Sequence, residues 1–374
     1  MTDITYTLGA VGGHQNGRPF YQATVPFRTL ASMLKLDDDF DVTKRSQRIV
    51  DKNRAKKVAK YLDKNKDGFY VLPPLVGFID GDFEFVPVPL DGYPYVGTLK
   101  VPLESKFMLF DGQHRAFGVR EAMQLAPELG QETISIMFFS GLTLSERQQA
   151  FHDINFTQKT PSAALCIAYN ERSDYDKMVI DVFSNSHIRG VIEYEKNTAS
   201  GNSEKVYSLK VLKDFAIQFC GKEVQENSQA LLSDYVDQLF EVINIPAHLN
   251  MIGINNSFYQ KRGDSQAKEY RQEYILPHAV TLKALGLLGK DLITEFPDSW
   301  QEKLLVLGDR KIFYRNSQHW FDRCVNDRDK MVSNQLAVRL TYYKLKDLCG
   351  LALAPEEKIE EAEYFQKHNL EDVA

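Results

Sequence analysis

Leu109-Phe110-Asp111-Gly112-Gln113-His114-Arg115 decides how this chain is read. An apolar run stops there at five polar or small residues, and a helical pattern follows through Ala116, Phe117, Val119, Glu121, Ala122 and Leu125. That is the grammar of strand, tight turn and helix start. The first turn of a helix leaves backbone N–H groups without partners and carries the positive end of the helix dipole, so anions settle there. Gly112 permits close approach of the backbone. Arg115 can fork two donors onto a phosphate. Gln113 and His114 add a neutral and a switchable hydrogen bond. Asp111 can cap the helix, orient His114 or orient a metal-bound water. Residues 111–115 are therefore a candidate anion site, although an Asp-Gly turn before a capped helix has the same pattern and needs no ligand.

Outward from the turn, the first 160 residues read as mixed α/β. Tyr21 to Val25 is strand-like and Thr29 to Leu36 a short helix. From Asp51 an apolar stripe of Val58, Ala59 and Leu62 predicts a helix that stops at Asp67-Gly68. Phe69 to Ile79 and Phe83 to Val88 read as strands joined in a hairpin by Asp80-Gly81-Asp82. Leu99 to Leu103 and Lys106 to Phe110 are short strands into the motif. Thr133 to Phe139 is a further strand, and Leu142-Thr143-Leu144-Ser145-Glu146-Arg147 opens a capped helix to about Ile154. Beyond Pro161 the strand patterns vanish. Helices are predicted over Ala163 to Asn170, Leu209 to Phe219, Gln229 to Val242, Gln272 to Leu288, Trp300 to Val306 and Ser333 to Leu348. Asn197 to Lys205 reads as a flexible exposed loop. The fold class is α+β: a mixed α/β domain over 1–160, then a mainly helical domain over 161–374.

The composition sets limits. With 374 residues and 43% hydrophobic content, the chain can bury a real core. No run of about 18 apolar residues is present, so no membrane span is expected. The start lacks a basic and an apolar leader region, and the four scattered cysteines form no C-x-x-C pair. The expectation is a cytoplasmic protein with reduced, mostly buried thiols and no metal site. The formal net charge of −6 argues against a histone-like coat on DNA but leaves room for local basic surfaces. Lys44, Arg45, Arg48, Lys52, Arg54, Lys56, Lys57 and Lys60 form one, opposed only by Asp51, and Lys261, Arg262, Lys268 and Arg271 a second. From Glu356 the chain is acidic. A chain so polarised can lie on a polyanion or self-associate head to tail. Solvated helix faces explain the same charges, and for the tail that reading is preferred.

A second constellation runs from Phe151 to Ser162. Asn155 is a natural helix C-cap, and Thr160 or Ser162 can cap the next helix with Pro161 in its first turn. Lys159 stands where it could neutralise an anion on those N–H groups. The pattern offers a second jaw of a phosphate clamp, or an ordinary connection between two helices.

Phe110-Asp111-Gly112-Gln113-His114-Arg115, with Phe151, Ile154, Asn155, Lys159, Pro161 and Ser162 downstream, resembles the DGQHR-domain family, specifically DndB-type proteins. The likeness extends to Tyr6, Gly12-Gly13, Gln15, Gly17 and Tyr21, to Arg48, Asp51, Arg54 and Ala59-x-Tyr61-Leu62, and to Tyr274-Ile275, His278 to Leu282 and Leu285-Gly286. It implies an accessory protein of DNA phosphorothioation systems, a DNA-binding regulator of the modification genes. It also implies a motif domain similar to the ParB/sulfiredoxin fold, whose corresponding turn binds nucleotide phosphates. Relatives in systems that insert 7-deazaguanine into DNA are considered ATP-hydrolysing. Carried over, Asp111, Gly112, Gln113, His114 and Arg115 would form the nucleotide turn, with Asn155 and Lys159 contacting phosphate or supporting it. Gly12-Gly13-His14-Gln15 departs from the family where an Arg-Gly is frequent, which puts that arginine's role in doubt.

Two functions follow. The first is a regulator that binds double-stranded DNA through Lys44, Arg45, Arg48, Arg54, Lys57, Lys261 and Arg262, with other proteins of the modification system and a second copy of itself as partners. The second is a nucleoside triphosphatase using ATP or CTP with Mg2+, in which Asp111 or His114 activates water and Arg115 stabilises charge. No G-x-x-x-x-G-K-[ST] segment exists, so an ordinary P-loop enzyme is excluded. A nuclease has little support, since Asp37-Asp38-Asp39 reads as an acidic loop or helix cap.

Overall fold

A computed structural model describes residues 4–34, 51–89, 95–156, 160–199, 203–244 and 266–367. The chain divides into two compact units, Met1–Lys159 and Thr160–Ala374. The first is mixed α/β and the second almost entirely helical.

In the first unit, β1 (Thr5–Gln15), β2 (Arg18–Pro26), β3 (Leu75–Asp80), β4 (Glu84–Pro87), β5 (Val96–Pro102), β6 (Lys106–Asp111) and β7 (Thr133–Phe139) form one sheet in the order β4-β5-β1-β2-β7-β3-β6. All neighbours are antiparallel except β3 and β7. The hairpin expected at Asp80-Gly81-Asp82 does not form, because β3 pairs with β6 and β7 while β4 pairs with β5. The turn residues fix a bend, but burial chooses the partners. Leu75, Gly77, Phe78 and Ile79 are buried, so β3 takes an interior place, whereas β4 has no buried residue and sits at an edge.

This connection curls the sheet. β3 and β4 lie five strand spacings apart in the order, which is roughly 24 Å in a flat sheet. The Cα steps from Asp80 to Glu84 reach at most about 15 Å. The short link from β5 to β6 imposes the same bend at the other edge. Tyr21 of β2 accordingly meets Phe83 and Phe85 with ring centroids 5.4 and 5.0 Å away.

Alternation along β6 supplies both faces of the sheet. Phe107 and Leu109 join a core with Phe27 and Leu30 of α1 (Phe27–Met33), Ala59 and Leu62 of α2 (Lys52–Asn65), and Ala116 and Val119 of α3 (Gln113–Leu125). Met108 and Phe110 pack with Phe78, Phe151 and Ile154, the last two from α4 (Leu144–Phe156). The helix start expected at Leu142–Arg147 is a capping box: the Thr143 N–H donates to Glu146 Oε2 at 2.8 Å and the Glu146 N–H to Thr143 Oγ1 at 3.3 Å. β1 carries no clear strand pattern in its sequence, because Gly9, Gly12 and Gly13 dilute its alternation.

The second unit contains α5 (Ala163–Ala168), α6 (Asp174–Asn185), α7 (Leu209–Cys220), α8 (Ser228–Val242), α9 (Gln266–Glu273), α10 (Ala279–Glu295), α11 (Trp300–Leu304), α12 (Gln335–Leu348) and α13 (Pro355–Lys367). A two-stranded pairing of β8 (Ile192–Glu193) with β9 (Tyr207–Ser208) joins them. Two expectations need correction here, and a third gains detail. The helix read over Gln272 to Leu288 is two helices, broken at 274–278, where the Ile275 N–H goes to the Phe313 carbonyl at 3.0 Å and Pro277 has no N–H to give. The loop from Asn197 is tied at its described ends: Asn197 accepts from the Ala164 N–H and the Ser208 hydroxyl, and Arg271 donates to the Ser203 and Lys205 carbonyls. The acidic tail is not merely solvated, because α13 is bolted down by ion pairs. Glu361 pairs with Arg323, Glu360 takes Arg339 through two bonds of 2.6 and 2.8 Å, and Glu357 lies 2.9 Å from Lys346.

Among the described residues, no helix is long and apolar enough to cross a membrane. Cys324 and Cys349 are buried, Cys220 is half-buried and Cys166 is exposed. Burial lifts Cys324 and Cys349 to about 12, which leaves both as inert thiols.

The α13 pairs differ in depth. Arg323 is only 7% exposed and Glu361 15%. Glu361→Gln is therefore expected to destabilise the second unit by about 3 kcal/mol, since it takes the Glu361 counter-charge from a buried guanidinium. Urea unfolding followed by far-UV circular dichroism measures this; a loss below about 0.5 kcal/mol, the scale of an exposed pair, would show that α13 is held some other way.

Candidate functional site

The motif turn is a joint between elements, and each of its residues has a bond to make. Asp111 ends β6 and Gly112 is the N-cap of α3, at φ 90° and ψ 10°. An L side chain rarely adopts that backbone, and a Cβ there would overlap Leu75 Cδ2. Gln113 is buried, and its Nε2 donates back to the Leu109 carbonyl at 3.0 Å. His114 Nε2 accepts the backbone N–H of Asp51 at 3.2 Å. Arg115 Nη2 donates to Asp111 Oδ2 at 2.6 Å and to the Pro74 carbonyl at 3.2 Å. The turn thus ties β6, the approach to β3, α3 and α2 together.

The Asp111–Arg115 pair is sheltered, with side chains 22% and 23% exposed. Arg115 Nε is buried with no hydrogen-bond partner. A sheltered pair of this kind has a short charge-assisted bond but also a desolvation cost to offset. As arranged, Arg115 neutralises a carboxylate of its own chain.

His114 leads directly to the basic helix. Asp51 is the N-cap of α2, its Oδ1 accepting from the Asn53 and Arg54 N–H groups. On one side of α2, Ala55, Ala59 and Leu62 are buried. Val58 and the Ala55 carbonyl lie so close to Gly118 of α3 that a Cβ on Gly118 would overlap them. On the other side Lys52, Arg54, Lys56, Lys57, Lys60 and Lys64 are exposed. Among the described residues, Lys52, Lys56, Lys57, Lys60 and Lys64 have no ion-pair partner, while Arg54 lies 3.9 Å from Asp51 and Lys66 pairs with Asp63 and Glu128. Lys52, Lys56, Lys60 and Lys64 recur every fourth residue, so they make one stripe. That spacing was the sequence signal for Lys64, which the expected DNA-binding set lacked. Ala55 and Ala59, four apart and small, were the signal for the close seat on Gly118.

Lys44, Arg45, Arg48, Lys159, Lys261 and Arg262 lie outside the described residues. Asn155 falls inside the last turn of α4, where its Nδ2 donates to the Phe151 carbonyl at 2.8 Å. The second jaw expected at Ser162 is filled: Ser162 caps the Leu165 N–H, and Asn197 Oδ1 takes that of Ala164. Arg271 braces the Ser203 and Lys205 carbonyls instead of joining a surface patch. Among the described residues, no group of three or more His, Cys, Asp or Glu side chains could hold a metal ion.

Comparison with known proteins gives one result. The family model DndB, described as DNA-sulfur modification-associated, matches residues 8–352, nearly the whole chain. No curated protein and no solved structure matches.

A double-mutant cycle tests the joint. If Asp111 and Arg115 hold each other, Asp111→Ala, Arg115→Ala and the double variant should give a coupling energy of about 1–3 kcal/mol in chemical unfolding. Additive effects would mean that Arg115 stands free for a ligand.

Proposed function

The chain belongs to the DndB family, and from that premise we propose that it is a DNA-binding regulatory protein of a DNA sulfur modification system, gripping duplex phosphates with the lysine face of α2. The family places the protein in DNA sulfur modification; binding and regulation are our reading. One observation carries it: the stripe Lys52, Lys56, Lys60, Lys64, flanked by Lys57, without an ion-pair partner among the described residues.

The stripe opposes the stability of its own helix. Like charges four apart cost about 0.2–0.5 kcal/mol per pair, and cations in a first helical turn face the positive end of the dipole. A polyanion laid along the face reverses both terms. Phosphate contacts of this kind give affinity and orientation without reading bases. With an overall net charge of −6, attraction has to come from local basic faces such as this one. A likeness of the first unit to the ParB/sulfiredoxin fold belongs to the same proposal; its support is a motif turn standing between a strand and a helix of a mixed sheet unit.

The hydrolytic alternative finds less support. ATP or CTP with Mg2+ does not fit the turn as it stands, because Arg115 is engaged by Asp111 and the Pro74 carbonyl, and Leu75 fills the space beside Gly112. A phosphate there would first have to displace Asp111. We assign the turn the work of holding α2 in place.

Lys56, Lys57 and Lys60 are exposed, so their replacement by Gln leaves the core intact. The triple variant is expected to lower the slope of log K against log salt by roughly 2–3 for duplex DNA, with a melting temperature no lower than that of the parent, since the like-charge pairs of the stripe are relieved. Fluorescence anisotropy titrations at several salt concentrations read this out, and an unaltered slope would reject α2 as the phosphate-binding face.

A further inference from the structure

The curled sheet of the first unit opens at one end into a cavity of about 460 Å3 that neither the motif turn nor the α2 lysines use. β3 and β7 run parallel and end side by side, and the chains leaving them part toward β4 and α4. Gly81, Asp82 and Phe83 follow β3, while Ser140, Gly141 and Leu142 follow β7, and the cavity lies between them. Its walls are aromatic. Tyr21 of β2, Phe83 just before β4 and Phe85 within it line the space, and all three are only half-buried. The Tyr21 and Phe83 rings stand at 83° to each other, whereas Phe85 is tilted by 38° from Tyr21. The rings therefore form a corner and not a flat stack. Aromatic faces carry negative quadrupole charge, so a corner of rings turned in different directions suits a cation.

The charged groups agree with the rings. Asp80 and Asp82 line the cavity against one guanidinium, that of Arg147. Arg147 shows what this wall can hold. Its guanidinium sits 4.3 Å over the Phe78 ring and 3.6 Å from Asp80, and its Nε donates to the Leu142 carbonyl at 2.9 Å. One cation of the chain is thus already seated between an aromatic face and a carboxylate. The second carboxylate is left over, since Asp82 is exposed and has no ion-pair partner among the described residues. Its neighbour Glu84 is not left over, because Lys100 lies 3.3 Å away.

We propose that this cavity binds a small organic cation, a methylated ammonium, with its head in the corner of Tyr21, Phe83 and Phe85 and its charge balanced by Asp82. The volume suits such a ligand, since small-molecule sites span about 300–1,000 Å3, combine apolar walls with a few polar groups and favour the mouths of closed sheets. Quaternary ammonium heads are the cations that aromatic corners recognise best. The proposal is independent of DNA binding and of the motif turn.

Isothermal titration of the full chain with choline chloride and with dimethylbutanol, the uncharged carbon isostere of choline, tests it. Choline should bind about tenfold more tightly than the alcohol, or better. Asp82→Asn removes one exposed charge, so the melting temperature should hold while choline affinity falls about threefold or more. Phe83→Leu keeps an apolar side chain but removes the ring face, and should weaken choline about fivefold. No binding of choline, equal binding of the alcohol, or parental affinity in both variants would overturn the assignment.

Discussion

Arg115 reaches back one helical turn to Asp111, and the order of the first unit depends on that contact. The pair closes the left-handed bend at Gly112, and the same guanidinium holds the Pro74 carbonyl where the chain enters β3. Gln113 anchors the helix start to β6 and His114 holds the N-cap residue of α2. Four neighbouring side chains thereby fix four separate elements. Asp111 and Arg115 are each about one fifth exposed, so their attraction is less screened than that of an open surface pair. A helix start that could have served as an anion seat carries its own carboxylate instead.

The joint matters because of what it holds. α2 has one apolar side, which it seats on α3 at Gly118, and its other side is almost wholly cationic. Taken alone it is a poor helix: three like-charge pairs along the stripe cost on the order of 1 kcal/mol together, about what the Asp51 cap returns. Tertiary packing decides the outcome, through Ala55, Ala59 and Leu62, which are 1%, 3% and 0% exposed. The lysines are thus carried on a rigid element, and rigid presentation of charge lets a duplex be gripped in one orientation.

Much of this was legible in the sequence. The strand, bend and helix around Asp111–Arg115, the strand at Thr133–Phe139 and the cap at Thr143 were readable because each is set by local periodicity and local hydrogen bonds. The partners of β3 and β4 were not. Asp80-Gly81-Asp82 has the chemistry of a hairpin turn, and only the non-local burial of Leu75, Phe78 and Ile79 sends the two strands to different places in the sheet. The use of the motif was equally hidden. Asp and Arg four apart at a helix start suit a ligand or each other, and spacing cannot choose between them. In the second unit, the acids of α13 read as solvent-facing because their partners Arg323, Arg339 and Lys346 lie on residues distant in sequence.

The central claim is that the motif joint presents the α2 lysines to DNA. Lysine acetylation footprinting with and without saturating duplex DNA tests it most directly, with mass spectrometry reading each site. The account predicts that Lys52, Lys56, Lys60 and Lys64 lose reactivity when duplex is added, while Lys303 and Lys358 do not. Equal reactivity of the α2 lysines in the two states, at duplex concentrations shown to saturate binding, would contradict it.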